Sequence, residues 1–247
     1  MDAGRSPHPA RKISIIIPTL NEGGTLAALL QALRLAGPDA EIIVADGGST
    51  DRTIAVARRH GVHVLQTARG RGRQLAEGGR IARGDVLLFL HADCRFPADG
   101  LTRIEQALSR DSEVIGGNFR LLFDGGDRFS VWLNGFYRWI RRHGFYYGDS
   151  AVFVRRAIYQ AIGGIRPIAL MEDYDFNRRM ERFGKTCCIE DPPMVTSSRR
   201  FAGRRPAAIV WGWIKIHLLF HLGVSPDTLA RIYDSERRGK PGNAQPG

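Results

Sequence analysis

The chain has 247 residues, of which 43% are hydrophobic and 25% are charged, a composition typical of a globular protein with a packed core. Its formal net charge of +11 predicts an anionic partner, but the basic residues are spread along the chain without a nucleic-acid-binding motif, so we expect no nucleic acid among its partners. The three cysteines form no CxxC pair, which argues against a disulfide framework and predicts a reducing compartment.

The first half of the chain alternates two hydrophobic patterns. Short β-branched or apolar runs predict strands, and apolar residues at helical spacing predict helices. The strands are predicted at 13–18, 41–46, 62–67 and 86–90, and the helices at 24–36, 53–60 and 74–82. Strands separated by helices indicate a Rossmann-like α/β fold, in which a mainly parallel sheet is sandwiched by helices.

The second half shows a less regular order of elements. Helices are predicted at 98–109, 128–142, 157–162 and 172–183, and strands at 114–123, 151–156 and 185–190. The sequence shows no interdomain linker and no internal repeat, so we predict a single domain with a C-terminal helical extension over 12–235. Residues 1–11 are polar, with no apolar signal core, and we expect a disordered lead-in there and a disordered tail at 236–247.

Two segments are rich in apolar or aromatic residues whose environment the pattern leaves open. Residues 128–142 combine aromatic and arginine side chains, which indicates an amphipathic helix that packs in the core, stacks on sugar rings or lies at a lipid surface. Residues 207–224 are apolar but interrupted by Lys215, His217 and His221, so they predict a buried helix or one in a membrane interface. No apolar run reaches the roughly 20 residues of a membrane span.

Polar side chains follow three of the predicted strands, at the point where each strand ends. Thr19 and Glu22 follow the first strand, Asp46 ends the second, and His91-Ala92-Asp93 follows the fourth. Open α/β sheets bind ligands at the carboxyl ends of their strands, and hard cations prefer carboxylate oxygens such as that of Asp93. The alternative at each position is a polar turn or a helix cap.

Arginine and glycine alternate over residues 69–73, directly after the third strand. This arrangement suits an anion, because arginine binds phosphate through its bidentate fork and glycine permits a close approach. A solvated loop is the alternative.

Together these motifs resemble an inverting glycosyltransferase of family 2 with the GT-A fold. The resemblance covers roughly residues 12–200 and rests on IIIPTLNEGGTL, IIVADGGSTDRT, ARGRGRQL, GDVLLFLHAD and MEDYDF. More narrowly, YYGDSAVFVRR and LGVSPDTLARIY resemble a bacterial subgroup, the radical-SAM- or selenodomain-associated transferase 2 type.

The resemblance implies a nucleotide diphosphate sugar donor lying across the strand ends. Thr19, Glu22 and Asp46 would then hold the base and ribose, and Arg69 and Arg73 would reach the nucleotide or its diphosphate.

The resemblance also implies a divalent cation on Asp93 that bridges the two phosphates of the donor. The first position of the family's metal motif is usually an acid, whereas here it is His91. Imidazole is a poor ligand for Mg²⁺ but an acceptable one for Mn²⁺, so Mn²⁺ is favoured over Mg²⁺. The alternatives for His91 are a hydrogen bond to the nucleotide or a packing role.

Asp173, with Glu172 beside it, matches the family's catalytic acid pair. Asp173 would act as the general base that deprotonates the acceptor hydroxyl, and we expect Glu172 and Asp175 to raise its pKa. Alternatively, Asp173 is an acid in the first turn of a helix, where it suits the helix dipole. Asp149, in Gly148-Asp149-Ser150, either lines the donor or acceptor site or belongs to a tight turn.

The acceptor is not identified by the sequence. Contact of either apolar segment with lipid would favour a lipid-linked acceptor. We expect a cytoplasmic enzyme with peripheral contact to the inner face of the plasma membrane. Two other functions stay open: a non-catalytic nucleotide-sugar sensor and a sugar-phosphate nucleotidyltransferase. The second needs a basic Gly-rich loop directly after the first strand, and PTLNEGG contains no basic residue.

Overall fold

The computed structural model describes residues 12–201 and 205–238. Its centre is an eight-stranded sheet with the strand order β3-β2-β1-β4-β7-β6-β8-β5. The strands are β1 Ile13–Thr19, β2 Glu41–Asp46, β3 His63–Gln66, β4 Val86–Phe89, β5 Cys94–Arg95, β6 Val114–Phe123, β7 Val152–Arg155 and β8 Lys185–Thr196. Strands β3, β2, β1 and β4 are parallel, as are β6 and β8, whereas β7 and β5 run antiparallel to their neighbours. This confirms the predicted, mainly parallel α/β fold.

Helices cover both faces of the sheet. They are α1 Leu26–Ala36, α2 Thr53–Arg59, α3 Arg71–Ile81, α4 Gly100–Arg110, α5 Arg128–Arg142, α6 Arg156–Ala161, α7 Glu172–Phe183, α8 Pro206–His221 and α9 Pro226–Arg238. Because side chains alternate along a strand, Ile15 and Ile17 of β1 join the core cluster with α1 and α4, while Ile16 joins the opposite cluster with α3 and α7.

The C-terminal helices α8 and α9 build a third, smaller cluster. Ile216 of α8 and Leu229 of α9 pack with Met171 and Tyr174, at the start of α7. The C-terminal helices are thereby placed beside the segment that carries the predicted acid pair. None of the described helices is both long and apolar enough to cross a membrane.

Strand β8 is longer than the prediction of 185–190, because it continues through two prolines to Thr196. The pairing with β6 jumps from Phe119 with Ile189 to Leu121 with Met194. Both prolines lie in this irregular stretch, where a missing N–H does not interrupt a regular ladder.

Two helix ends also differ from the prediction. Helix α3 begins at Arg71 rather than at residue 74, and α9 extends to Arg238, so the predicted tail 236–247 begins with three helical residues. The predictions for 1–11 and 239–247 lie outside the described residues.

Candidate active site

The ends of β1 and β2 lie side by side, because Thr19 pairs in register with Asp46. The fully buried Asp46 carboxylate accepts four hydrogen bonds, from Thr19 Oγ1 (3.0 Å), Gly48 N (3.0 Å), Ser49 N (2.8 Å) and Ser49 Oγ (2.5 Å). Burial acts to raise the pKa of Asp46, but these bonds outweigh it and hold the pKa below its usual value. Asp46 is thus an ionised anchor that fixes the turn after β2.

The loop after β1 is tied to the same turn. Asn21, in the left-handed region with a φ of 58°, donates its backbone N–H to Ser49 Oγ (2.9 Å) and accepts from Thr50 N (2.9 Å). The half-buried Glu22 accepts from the Thr25 hydroxyl (2.8 Å). The predicted residues Thr19, Glu22 and Asp46 therefore share one rim of the sheet.

Gln74 of α3 is a structural element of this rim that the sequence did not reveal. Its buried amide donates from Nε2 to the carbonyl oxygens of Thr19 and Ala45, each at 2.7 Å. The side chain thereby fixes α3 against the ends of β1 and β2. A β-carbon added at Gly47 would lie only 3.1 Å from the Gln74 amide, so a larger residue there would press on this amide.

The acid pair lies at the start of α7. Glu172 is buried and accepts from Arg71 Nε, while Arg71 Nη2 lies 3.5 Å from Asp173 Oδ2. Asp173 also accepts from the backbone N–H of Gly148 (2.9 Å) and of Tyr174 (2.7 Å), and its side chain is 13% exposed. The Asp173 carboxylate is therefore held in place from three directions yet still reaches the surface of a cavity.

The pKa values of the two acids shift in opposite directions. For Asp173, burial acts to raise the pKa, but Arg71, the two backbone N–H groups and His91 together lower it below its usual value. For Glu172, burial outweighs Arg71 and raises the pKa. The prediction that neighbouring acids raise the pKa of Asp173 is wrong, since Asp175 is instead paired with Arg179 at 2.7 Å.

His91 lies beside the acid pair. A β-carbon added at Gly148 would lie 3.2 Å from Asp173 Oδ2 and 3.5 Å from His91 Nε2, so the imidazole and the carboxylate approach the same glycine. Asp93 is half-buried two residues further along the chain. Among the described residues, no three or more His, Cys, Asp or Glu side chains converge on a single metal position.

The arginines of residues 69–73 take different positions. Arg69 and Arg73 are exposed, whereas Arg71 faces the acid pair. The intervening Gly72 lets α3 approach the segment before α7, because a β-carbon there would collide with the carbonyl oxygen of Ile168. The sequence pointed to the outer two arginines, whereas the one that contacts the acid pair is the middle one.

A cavity of about 500 Å³, which we call the aromatic cavity, opens beside Asp173. Arg71, Asp149 and Asp173 form its charged side, and aromatic side chains such as Phe136, Tyr147 and Trp213 contribute to its walls. Asp149 is buried in the 3₁₀ turn Gly148–Ser150 and lies close enough to raise the pKa of Arg71, together with the acid pair. The structure thus brings Asp149, Glu172, Asp173 and His91 together around Arg71 and Gly148.

Comparisons with known proteins show the family to which the chain belongs. The family model for glycosyl transferase family 2 matches residues 14–182. A PGL/p-HBAD biosynthesis glycosyltransferase of Mycobacterium bovis BCG is 30% identical over 202 residues, which are 76% of this chain and 73% of that protein. An undecaprenyl-phosphate 4-deoxy-4-formamido-L-arabinose transferase of Pseudomonas paraeruginosa is 31% identical over 44% of this chain and 36% of its own length.

A solved structure shares the fold. The mannosyltransferase of Pyrobaculum calidifontis, in complex with GDP-Man and Mn²⁺, superposes with a TM-score of 0.64 at 19% identity, over 96% of this chain and 72% of that one. This likeness confirms the GT-A-type fold. With the family model matching most of the chain, the comparisons establish that this chain belongs to glycosyl transferase family 2 and is a glycosyltransferase.

Proposed function

We propose that the protein transfers a sugar from a nucleotide diphosphate donor to an acceptor hydroxyl, with inversion and with Asp173 as the base. The observation that carries this proposal is the setting of Asp173: its pKa is lowered, two backbone N–H groups orient it, and it faces the aromatic cavity. The acceptor oxygen attacks the anomeric carbon as the bond to the diphosphate breaks. Asp173 takes the hydroxyl proton, and the nucleotide diphosphate leaves.

The donor is proposed to lie along the rim formed by Thr19, Glu22 and Asp46. Asp46 already accepts three hydrogen bonds from its own turn and one from Thr19, so it would shape the base-binding loop and leave part of the contact to backbone groups. The exposed Arg69 and Arg73 flank the start of α3, where they are free of the acid pair and can approach a bound diphosphate.

A divalent cation is proposed at Asp93 and His91, and the presence of Mn²⁺ with GDP-Man in the mannosyltransferase of the same fold supports a cation. The two residues offer one carboxylate and one imidazole from the end of β4, a donor set acceptable to Mn²⁺, and phosphate oxygens would complete the shell. When bound, the cation would offset the charge that develops on the leaving diphosphate. We propose a preference for Mn²⁺ over Mg²⁺ on the strength of His91.

The test of the base compares Asp173→Asn with Asp175→Asn. Both acids lie in the first turn of α7, but Asp175 is paired with Arg179. We expect Asp173→Asn to reduce donor turnover by about 10² to 10⁴-fold, the usual contribution of a general base, with donor binding retained. Asp175→Asn should stay within a few-fold of the wild type. Turnover of Asp173→Asn close to the wild type would refute the role.

A thermal-shift screen identifies the donor first. UDP, GDP and dTDP sugars are added with and without Mn²⁺, because a ligand that binds the folded state raises its melting temperature.

A non-catalytic sensor would bind a donor without turnover, and neither that function nor a nucleotidyltransferase is favoured by the family match. Membership of the radical-SAM-associated subgroup stays a prediction from the sequence.

We also propose peripheral membrane contact and a lipid-linked acceptor, on the inner face of the plasma membrane. Helices α5 and α8 contain no aspartate or glutamate, and they expose the apolar face defined by Val131, Trp132, Trp139, Trp211, Ile214 and Leu218. Exposed tryptophans beside Arg138 and Arg142 suit an anionic lipid surface.

Vesicle flotation tests this contact. We expect the protein to float with phosphatidylcholine vesicles that contain phosphatidylserine, and the double variant Trp211→Glu with Leu218→Glu to lose flotation. The matched control changes Leu35 and Phe183 to Glu, since these apolar residues are also more than half exposed but lie on other helices. Equal flotation of both double variants would contradict the assignment to α8.

A further inference from the structure

We infer that the aromatic cavity binds the acceptor, and that it selects an uncharged hydroxyl on an apolar body over a lipid phosphate. The inference rests on the proposed function, in which Asp173 is the base. It narrows the proposed lipid-linked acceptors to those whose reacting group is an uncharged hydroxyl.

The walls of the aromatic cavity fit an apolar body. Phe136 and Tyr137 of α5 line it on one side, and Val210, Trp213 and Ile216 of α8 on another. Its volume of about 500 Å³ lies within the range of pockets that hold small molecules. Aromatic walls gain free energy from contact with a ring or an alkyl chain, and a strongly hydrated group would lose its water there.

The charges on the polar side disfavour a phosphate. Asp149 and Asp173 line the cavity, and Glu172 lies directly behind them. Among the described lining residues Arg71 is the only lysine or arginine, and it is already bound by Glu172 and Asp173. Because Arg71 is taken up by these two acids, the lining carboxylates of Asp149 and Asp173 leave this side negative, so an incoming phosphate would be repelled.

His217 is already hydrogen-bonded at both ring nitrogens. Its Nδ1 lies 2.9 Å from the Trp213 carbonyl oxygen, which can only accept, so Nδ1 carries a proton. Its Nε2 lies 3.0 Å from the Tyr147 hydroxyl, which can donate to it. Both ring nitrogens are thus engaged within the protein, and a neutral hydroxyl is the acceptor group that this side accommodates.

A neutral hydroxyl acceptor differs from the phosphate that appears in the name of one relative. The Pseudomonas transferase is named for undecaprenyl phosphate, but it matches only 44% of this chain. An acceptor for this cavity would be an apolar alcohol or a glycolipid whose sugar hydroxyl reaches Asp173.

Binding of three probes without any donor tests the inference. Octyl β-glucoside has a neutral hydroxyl and a tail, octyl phosphate has an anionic head on the same tail, and methyl β-glucoside lacks the tail. The fluorescence of Trp132 and Trp213, which line the cavity, reports binding below the micellar concentration. We expect octyl β-glucoside to bind at least tenfold more tightly than either of the others. Equal or tighter binding of octyl phosphate would overturn the inference, and so would equal binding of methyl β-glucoside.

Two variants of α8 show where the probe binds. Ile214 is 53% exposed and lines the aromatic cavity, whereas Leu218 is 58% exposed one turn further on and does not. We expect Ile214→Asp to weaken octyl β-glucoside binding at least tenfold and Leu218→Asp to change it less than twofold. Equal weakening in both would mean adsorption to the apolar face and would overturn the inference.

A third variant tests the charge argument. Asp149→Asn removes one carboxylate with little change of shape, and we expect octyl phosphate to bind several-fold more tightly to it. Unchanged binding of octyl phosphate would contradict the argument. These binding measurements contain no donor, so they test the inference alone. Donor turnover, measured separately, tests the proposed function, and either proposal can fail while the other holds.

Discussion

Arg71 connects stability, pH dependence and catalysis at this site, and the variant Arg71→Met tests all three. In the wild type the guanidinium compensates Glu172, whose side chain is 1% exposed, and it lowers the pKa of Asp173. Removing it leaves a buried carboxylate without its cation. Breaking such a pair costs about 3 to 5 kcal/mol in buried sites. Arg71 itself is 38% exposed, so water screens part of the charge and we expect about 2 to 3 kcal/mol.

The sign of the pH dependence of stability follows from the raised pKa of Glu172. Without Arg71, burial raises the pKa of Glu172 further above the value of 4.5 that it has in the unfolded chain. The unfolded state then releases this proton first, so the variant loses stability as the pH rises from 4.5 towards the raised pKa. The loss of stability should therefore be larger at pH 7 than at pH 5.

Urea denaturation at both pH values measures the effect. Arg80→Met is the matched control, because Arg80 is exposed near the end of the same helix. The acid limb of the turnover profile should also move to higher pH, since Asp173 loses the cation that lowers its pKa. An equal loss of stability at both pH values, together with an unmoved acid limb, would refute this reasoning.

Three further predictions concern the metal and the base. Gly148→Ala places a methyl group 3.2 Å from the Asp173 carboxylate, so kcat should fall about tenfold. Donor binding, measured by calorimetry, should be unchanged, and a change in donor binding alone would contradict this prediction. Asp93→Ala should abolish Mn²⁺-stimulated donor hydrolysis, and undiminished wild-type turnover in excess EDTA would remove the metal from the account. His91→Asp should raise turnover with Mg²⁺ relative to Mn²⁺, and an unchanged ratio in titrations with both ions would show that His91 does not set the preference.

The parallel part of the fold could be predicted because its signals are local. The apolar runs of β1, β2 and β4 and the Gly-Pro stop after α1 lie in continuous sequence, and the structure places these strands within a residue of the prediction. The polar residues that follow them share one rim because the carboxyl ends of parallel strands meet at the same edge.

The remaining features depend on contacts between distant parts of the chain. The antiparallel β7 lies between β4 and β6, and its choice of partners leaves no local pattern. Likewise, the partners of Arg71 are Glu172 and Asp173, which lie 101 and 102 positions further along the chain. The aromatic cavity exists only because α8 and α9 pack beside the start of α7.

The configuration of the released sugar tests the central claim most directly. Proton NMR during hydrolysis of an α-linked nucleotide sugar distinguishes the two anomers before they equilibrate. We expect the wild-type enzyme to release the β-anomer first and Asp173→Asn to release neither anomer at a comparable rate. Initial release of the α-anomer, or β-anomer release by Asp173→Asn at the wild-type rate, would contradict single displacement with Asp173 as the base.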